Sequence, residues 1–376
     1  MQRFVSHHYR RAAHSVVRSR LSGCLHDRER LEVTHQAIES FPQALGERLR
    51  RKTREIAPEW VMFCVECLRR FRSRANKQIV RIRGIHVIWL TIYRLRFWLI
   101  SPRTMNQKIL YRMVHDRRNL LRTTTDKIGM REYVENHVDG SYLPKMYAHY
   151  EDADDITLDE LPRSYVMKAT HASGATLLVD EHYPSDTQIP TWNIDSPYPF
   201  LARAHPDHVD LVELRRLAAA WLQNPYGRTT IRPEWAYQGL RPRIMFEELL
   251  DDGRGNAPPD YKFLCFDGEP TIIQVFTERE RGARRVMYTP SWQRIREAQS
   301  DSVPSIEAPR ALPEMLSLAR RLARNFDFVR VDLYSCDERV LVGELTHYPN
   351  TGRIVGGGRG GPITLAASAW LPSTVA

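Results

Sequence analysis

From Asp126 onward, short helical patterns alternate with compact apolar runs. Asp126 predicts an N-cap for a helix running through Val134, because its carboxylate can accept from the first unpaired N–H groups. Residues 164–169 (SYVMKA) read as a strand that leads into the small-residue loop 171–174. The stretch 180–198 is rich in Pro, Asp and Ser and reads as loop, whereas 211–222 has a helical pattern. Three β segments follow, and residues 243–250 (RIMFEELL) are the first. Residues 261–266 and 271–276 predict a hairpin about Asp267-Gly268, a pair that adopts positive φ at low steric cost. Residues 328–334 and 340–346 predict a second hairpin. Between the hairpins, residues 313–325 predict an amphipathic helix with Met315, Leu318 and Leu322 on one face. The expected class is α+β with antiparallel sheets, not a Rossmann alternation. Upstream, residues 1–78 read as polar, Arg-rich helices of weak periodicity, such as 36–54 and 58–74.

Charge sharpens this division. The 376 residues carry a formal charge of +10. Residues 1–100 hold 21 Lys and Arg against 8 Asp and Glu, and the remainder holds 34 against 37. The basicity thus belongs to an N-terminal region attached to a nearly neutral body, which suggests an anionic partner such as a membrane surface, an acidic polymer or nucleic acid. No nucleic-acid-binding motif accompanies those residues, so a nucleic-acid role is not expected. The most apolar run, 84–93 (GIHVIWLTIY), has ten residues against the ~20 that a spanning helix needs. It suits a buried helix or strand with basic ends, or an interfacial anchor with Trp89, Tyr93 and Trp98 at headgroup depth. Five cysteines, with one C-x-x-C at Cys64 and Cys67, make neither a disulfide framework nor a zinc site. Residues 1–25 lack the apolar core of a secretory leader, so a reducing, cytoplasmic setting is expected.

Candidate chemistry lies in the strands. Alternation puts Arg330 and Asp332 on one face of FVRVDLY, and Glu344 and Thr346 share a face of VLVGELT. With the turn centred near Asp337, Arg330 is expected opposite Glu344 and Asp332 diagonal to it. Two carboxylates so arranged can share Mg²⁺, which takes one or two carboxylates plus substrate phosphates; an Arg330–Glu344 surface ion pair is the alternative. Lys168 and Lys262 each stand between bulky apolar neighbours on a strand, a costly place for a cation that meets no anion. The loop after Lys168 (HASG) offers Ser173 and Gly174 for close backbone approach to a phosphate. No Walker A spacing, Ser-His-Asp arrangement or G-x-S-x-G is present. Strand lysines, a small-residue loop and a carboxylate hairpin together match what a nucleotide–magnesium site requires.

The order TDKIGMREYV, YVMKATHASG, RPRIMFEELL, DYKFLCFDGEP, FVRVDLY and GELTHYPNTG, preceded by SPRTMNQKILYRMVHDRR, resembles the TupA-like branch of the ATP-grasp superfamily over about residues 101–356. That branch is associated with amino-acid-decorated surface polysaccharides such as teichuronopeptide. The resemblance implies an ATP-grasp fold, two α+β subdomains whose antiparallel sheets grip ATP, behind a basic, mostly helical region at 1–100. It implies a domain at 101–365, with a nucleotide lobe at about 126–250 and a metal and catalytic lobe at about 251–360, then a tail at 366–376. It also implies ATP and Mg²⁺ as cofactors. Lys127 and Lys168 would contact the ATP phosphates, with Ser173 and Gly174 in the loop above them. Glu247 would sit where adenine and ribose are held. Lys262 would meet the γ-phosphate or acyl-phosphate, Arg330 would stabilise developing charge, and Asp332 and Glu344 would hold Mg²⁺. The superfamily's usual Glu-x-Asn reads Glu344-Leu345-Thr346 here, which makes Thr346 the third candidate ligand. His171, His347 and Asn350 are candidate substrate contacts.

The implied reaction is ATP-dependent ligation of a carboxylate to an amine through an acyl-phosphate, releasing ADP. The substrate expected from the resemblance is a uronic-acid-containing polysaccharide or its precursor, receiving an amino acid or peptide. The expected setting is cytoplasmic, at the inner face of the membrane. Two readings compete: phosphotransfer without ligation, and an inactive scaffold docked on anionic lipid or polymer through residues 1–100.

Overall fold

The computed structural model describes residues 102–192, 200–224, 226, 234–251, 257–277, 284–296, 304–336 and 339–372. The expectations for 1–100, including the apolar run and the C-x-x-C, lie outside the described residues, as does the end of the 180–198 loop. Helices α1 (Met105–His115), α2 (Asn119–Thr125) and α3 (Lys127–His137) come first, then strands β1 (Met146–Tyr150), β2 (Tyr165–Ala169), β3 (Ala175–Val179) and β4 (Phe200–Ala204). Helix α4 (Leu211–Gln223) and strand β5 (Ile244–Glu247) follow. The second half holds β6 (Asp260–Phe266), β7 (Glu269–Thr277), β8 (Arg284–Tyr288), β9 (Arg294–Ile295), α5 (Leu312–Ala323), β10 (Phe328–Cys336), β11 (Arg339–Thr346) and α6 (Pro362–Ala366).

Among the described residues the strands form two sheets, ordered β1-β5-β2-β3-β4 and β11-β10-β6-β7-β8-β9. Each covers its own core. Met167, Leu177, Phe246, Leu214 and Trp221 pack between the first sheet and α4. Phe263, Val329, Val331 and Leu333 pack with Met315, Leu318 and Leu322 of α5 beneath the second. Each such side chain contributes about 1.5–3 kcal/mol through burial. The period-two alternation read from FVRVDLY is therefore the alternation of core against site.

The Asp267-Gly268 turn has φ of 49° and 83°, the left-handed pair that suits a two-residue hairpin. Two details depart from the expected pattern. The first sheet is mixed, since β3 and β4 run parallel. The long connection between them carries the chain back to the starting end of the sheet, as a parallel pair requires. The strand expected at 243–250 stops at Glu247. Glu248 leaves the ladder, accepting the Lys145 N–H (3.1 Å) and pairing with Arg339 (2.6 Å).

The C-terminal segment is stitched into the second core. Trp370 is 1% exposed, packs its ring at a tilt against Phe328 and Phe266, and donates its indole N–H to Asp327 (3.2 Å). Buried Lys108 on α1 donates its ammonium to the carbonyls of Ala367 and Trp370. No helix among the described residues is long and apolar enough to cross a membrane.

Candidate active site

The second sheet builds one half of the site through its register. Glu344 on β11 pairs with Asp332 on β10, and Asp332 pairs with Lys262 on β6. Directly paired residues share a face, so the three side chains form one row across three strands. This corrects the sequence-based register, in which Arg330 faced Glu344. The hairpin closes on Cys336 and Arg339, and a bulge then makes Gly343 an extra residue, so Arg330 faces Thr346. A β-carbon on Gly343 would lie 2.6 Å from Tyr334 Cε2, so any side chain there requires the Tyr334 ring to shift. The shift brings the two carboxylates opposite each other instead of diagonal.

Charges in this row interlock. Arg330 grips Asp332 with two bonds of 2.6 Å and also donates to Glu344 (2.7 Å) and the Thr346 hydroxyl (3.0 Å). Thr346 donates to Glu344 Oε1 (2.7 Å). Lys262 lies between Asp332 (2.5 Å) and Asp260 (2.7 Å). Asp260 is fully buried, and its position two residues before Lys262 on the same strand face is the signal that sequence reasoning passed over. Burial pushes the Lys262 ammonium down, with Asp332 opposing. Burial pushes Glu344 up, but Arg330, Lys262 and the Thr346 hydroxyl together hold its carboxyl well below the usual range. Burial works against the Arg330 charge, yet Asp332 and Glu344 keep it firmly protonated.

The first sheet and α3 build the other half. Asp126 caps α3, accepting the Ile128 and Gly129 N–H groups (3.0 Å each). Its carboxylate also receives the Thr170 hydroxyl (2.9 Å) and Arg243 (2.7 Å), which ties the helix start to the ends of β2 and β5. The Lys127 ammonium is thereby set against the carbonyls of Ala169 (2.9 Å) and Ala172 (2.6 Å), at the root of the HASG loop. Burial lowers Lys127 to about 8; Glu344 opposes this and Lys168 adds to it. Lys168 on β2 reaches diagonally to Glu247 on β5, and Arg131 of α3 lies 3.5 Å from the same carboxylate. Glu247 is thus a buried counter-ion for the lysine expected to meet phosphate. Ser173 is exposed, and Gly174 takes φ of 72° at the turn into β3.

Three further residues were missed by sequence reasoning. The Tyr226 hydroxyl bonds to Ser173 and to Glu234, and Glu234 bonds to Thr351. Burial raises Glu234 to about 7, against the opposing effect of those two hydroxyls. Thr351 and Asn350 both hold left-handed φ (53° and 48°), an uncommon and strained state for consecutive non-glycine residues. Nothing in local sequence pattern joins these segments. The two candidate histidines are packed away: His171 lies against the Trp221 carbonyl (3.0 Å) and His347 against the Thr124 hydroxyl (2.7 Å). Burial lowers His171 to about 4 and holds His347 well below its ordinary value.

Asp332, Glu344 and Thr346 present hard oxygen donors on paired strands, a set that suits Mg²⁺. Among the described residues no group of three or more His, Cys, Asp and Glu gathers for a metal. Two protein carboxylates completed by phosphate oxygens is the stoichiometry Mg²⁺ commonly takes.

A family model described as TupA-like ATPgrasp matches residues 204–356. No protein of curated function matches the chain. Similar solved structures include the ATP-grasp ligase PsnB complexed with minimal precursor, at 13% identity and TM-score 0.36, covering 67% of this chain and 61% of that one. D-alanine–D-alanine ligase from Bacillus anthracis complexed with ATP is similar at 14% identity and TM-score 0.32, over 60% and 53% of the two chains. D-cycloserine synthetase DcsG is similar at 14% identity and TM-score 0.34, over 66% and 70%. The chain thus spans 53–61% of the length of the first two. Residues 204–356 thus match the TupA-like model of the ATP-grasp superfamily, within a chain whose described residues form an α+β fold of two sheets.

Proposed function

We propose that this chain is an ATP- and Mg²⁺-dependent carboxylate–amine ligase. The observation that carries the reading is the row Glu344–Asp332–Lys262, clasped by Arg330. Lys127 and Lys168 supply positive charge for the phosphates of ATP. Mg²⁺, when bound by Asp332 and Glu344 with Thr346 beside them, neutralises phosphate charge. Arg330 and Lys262 then stabilise the charge that develops as the γ-phosphoryl group passes to a substrate carboxylate. Catalysis of this kind rests on positioning and fixed charge and needs no protein nucleophile. An amine next attacks the acyl carbon, phosphate leaves with the bonding pair, the nitrogen loses a proton to solvent, and an amide remains.

The finer reading joins an amino acid or peptide to a uronic-acid-containing surface polysaccharide or its precursor at the inner face of the membrane. Its support is the TupA-like match and the order of motifs, with residues 1–100 as the contact for anionic lipid. Phosphotransfer without ligation differs in needing no amine. The test is ADP release with carboxylate–amine pairs, including hydroxylamine to trap an acyl-phosphate as hydroxamate. Lys168→Ala, Asp332→Ala and Glu344→Ala are each expected to lower turnover by about 10² or more. Full turnover in all three would overturn the assignment.

A further inference from the structure

Glu247, at the end of β5, is a carboxylate shared between two cations from different elements. One oxygen takes the Lys168 ammonium from β2, and the other lies 3.5 Å from the Arg131 guanidinium of α3. The three side chains are not equally enclosed. That of Lys168 is 23% exposed, against 8% for Glu247 and 10% for Arg131. Arg131 is also anchored elsewhere, because its second terminal nitrogen donates to the Pro144 carbonyl (2.7 Å). It follows Lys127 by four residues, so the two cations share a face of α3, and both meet groups of the first sheet.

This asymmetry decides which pairing can exchange. Lys168 reaches solvent and can leave Glu247 for another anion, whereas Arg131 is enclosed and held by a second acceptor. The carboxylate left behind sets the cost. A buried carboxylate stripped of its only cation is strongly disfavoured. Arg131 removes that obstacle, since Glu247 keeps one charged partner after Lys168 departs.

Resting on the nucleotide site proposed above, we propose that Glu247 is an exchangeable counter-ion of Lys168, displaced by a polyphosphate chain. Arg131 is then the positioning residue that keeps Glu247 paired when Lys168 leaves. In the free protein the Lys168–Glu247 pair orients the lysine and competes with phosphate for it. On binding, the ammonium passes to phosphate oxygens, and the Glu247 carboxylate stays on Arg131, which Pro144 holds. Arg131 thus acts through Glu247 and is assigned no contact with the phosphates.

Calorimetric titration of inorganic triphosphate with Mg²⁺ into the full chain tests this, because that probe has the charged chain without adenine or ribose. ATP is titrated into wild type alongside. Glu247→Gln is expected to tighten triphosphate binding by about fivefold or more, since the lysine no longer has a competing partner. The gain is expected to vanish in Glu247→Gln with Lys168→Met. A gain that survives loss of Lys168 would reflect net charge alone and would overturn the exchange. Arg131→Gln is expected to weaken triphosphate binding about tenfold when Glu247 is present and less than about twofold when it is Gln. Equal losses in the two backgrounds would make Arg131 a simple cation of the site and overturn its positioning role. The double variant leaves no charge unpaired and keeps the test open if Arg131→Gln alone does not fold. Its binding triphosphate more than about threefold below Glu247→Gln would likewise count against the role. ATP binding by wild type without these effects overturns this proposal alone. Failure of ATP and triphosphate to bind any of the proteins removes the nucleotide site and this proposal with it.

Discussion

Lys262 and Arg330 are each divided among carboxylates, and that division sets how the site holds charge before any nucleotide arrives. Lys262 pairs with Asp260 and Asp332, and Arg330 pairs with Asp332 and Glu344. Glu234 is the opposite case, a buried carboxyl whose bonding partners are hydroxyls. Its folded pKa of about 7 lies above the ordinary value, so the folded state favours the protonated form. That contribution to stability is present in full below the unfolded pKa and is lost as pH rises toward 7. Glu234→Gln is therefore expected to gain on wild type between pH 5 and pH 8, by on the order of 2 kcal/mol, in thermal or denaturant unfolding. An equal difference at both pH values would contradict the assignment. The placement of Lys168, Lys262, Asp332 and Glu344 on strands was legible in the sequence because each breaks the apolar texture of its strand. Glu234 and Tyr226 were not, because a buried acid in an irregular segment leaves no periodic trace.

The β10–β11 hairpin shows what an element adds to its residues. Alternation alone put Asp332 and Glu344 on a common side, but the bulge at Gly343 decides that they stand directly opposite. Bulges re-aim side chains beside active sites, and the sequence marks this one only by a glycine within VLVGELT. Gly343→Ala forces a methyl group onto the Tyr334 ring at 2.6 Å. The expected cost is about 1–3 kcal/mol of stability. A raised Mg²⁺ requirement for ADP release, by about tenfold or more, is also expected as Glu344 is displaced. Stability loss with an unaltered Mg²⁺ dependence would separate the bulge from the metal role. The two hairpins and helices α3, α4 and α5 were readable because their periods of 2 and 3.6 are enforced by burial. The parallel β3–β4 pair was not, since its direction is set by the path of a long connection.

At the scale of the molecule, two cores each carry one half of the site, and the C-terminal segment helps hold the second. Trp370 locks residues 367–370 between α1 and the Phe266–Phe328 pair. Trp370→Ala is expected to cost about 3–5 kcal/mol in unfolding experiments, and a loss under about 1 kcal/mol would mean this anchor is dispensable. The charge division between residues 1–100 and the rest was plain from the sequence, and so was the α+β class. The register, the buried counter-ions of the lysines and the Ser173–Tyr226–Glu234–Thr351 chain of hydrogen bonds depend on tertiary contact and were not. The central claim is that Lys127 and Lys168 on one side, and Asp332 and Glu344 on the other, bind ATP with Mg²⁺. Isothermal titration of ATP into the full chain, with Mg²⁺ and with EDTA, for wild type and Lys168→Ala, tests it most directly. The expected result is saturable binding that needs Mg²⁺ and is lost in Lys168→Ala. Absence of binding under either condition, or binding indifferent to both the metal and Lys168, would contradict it.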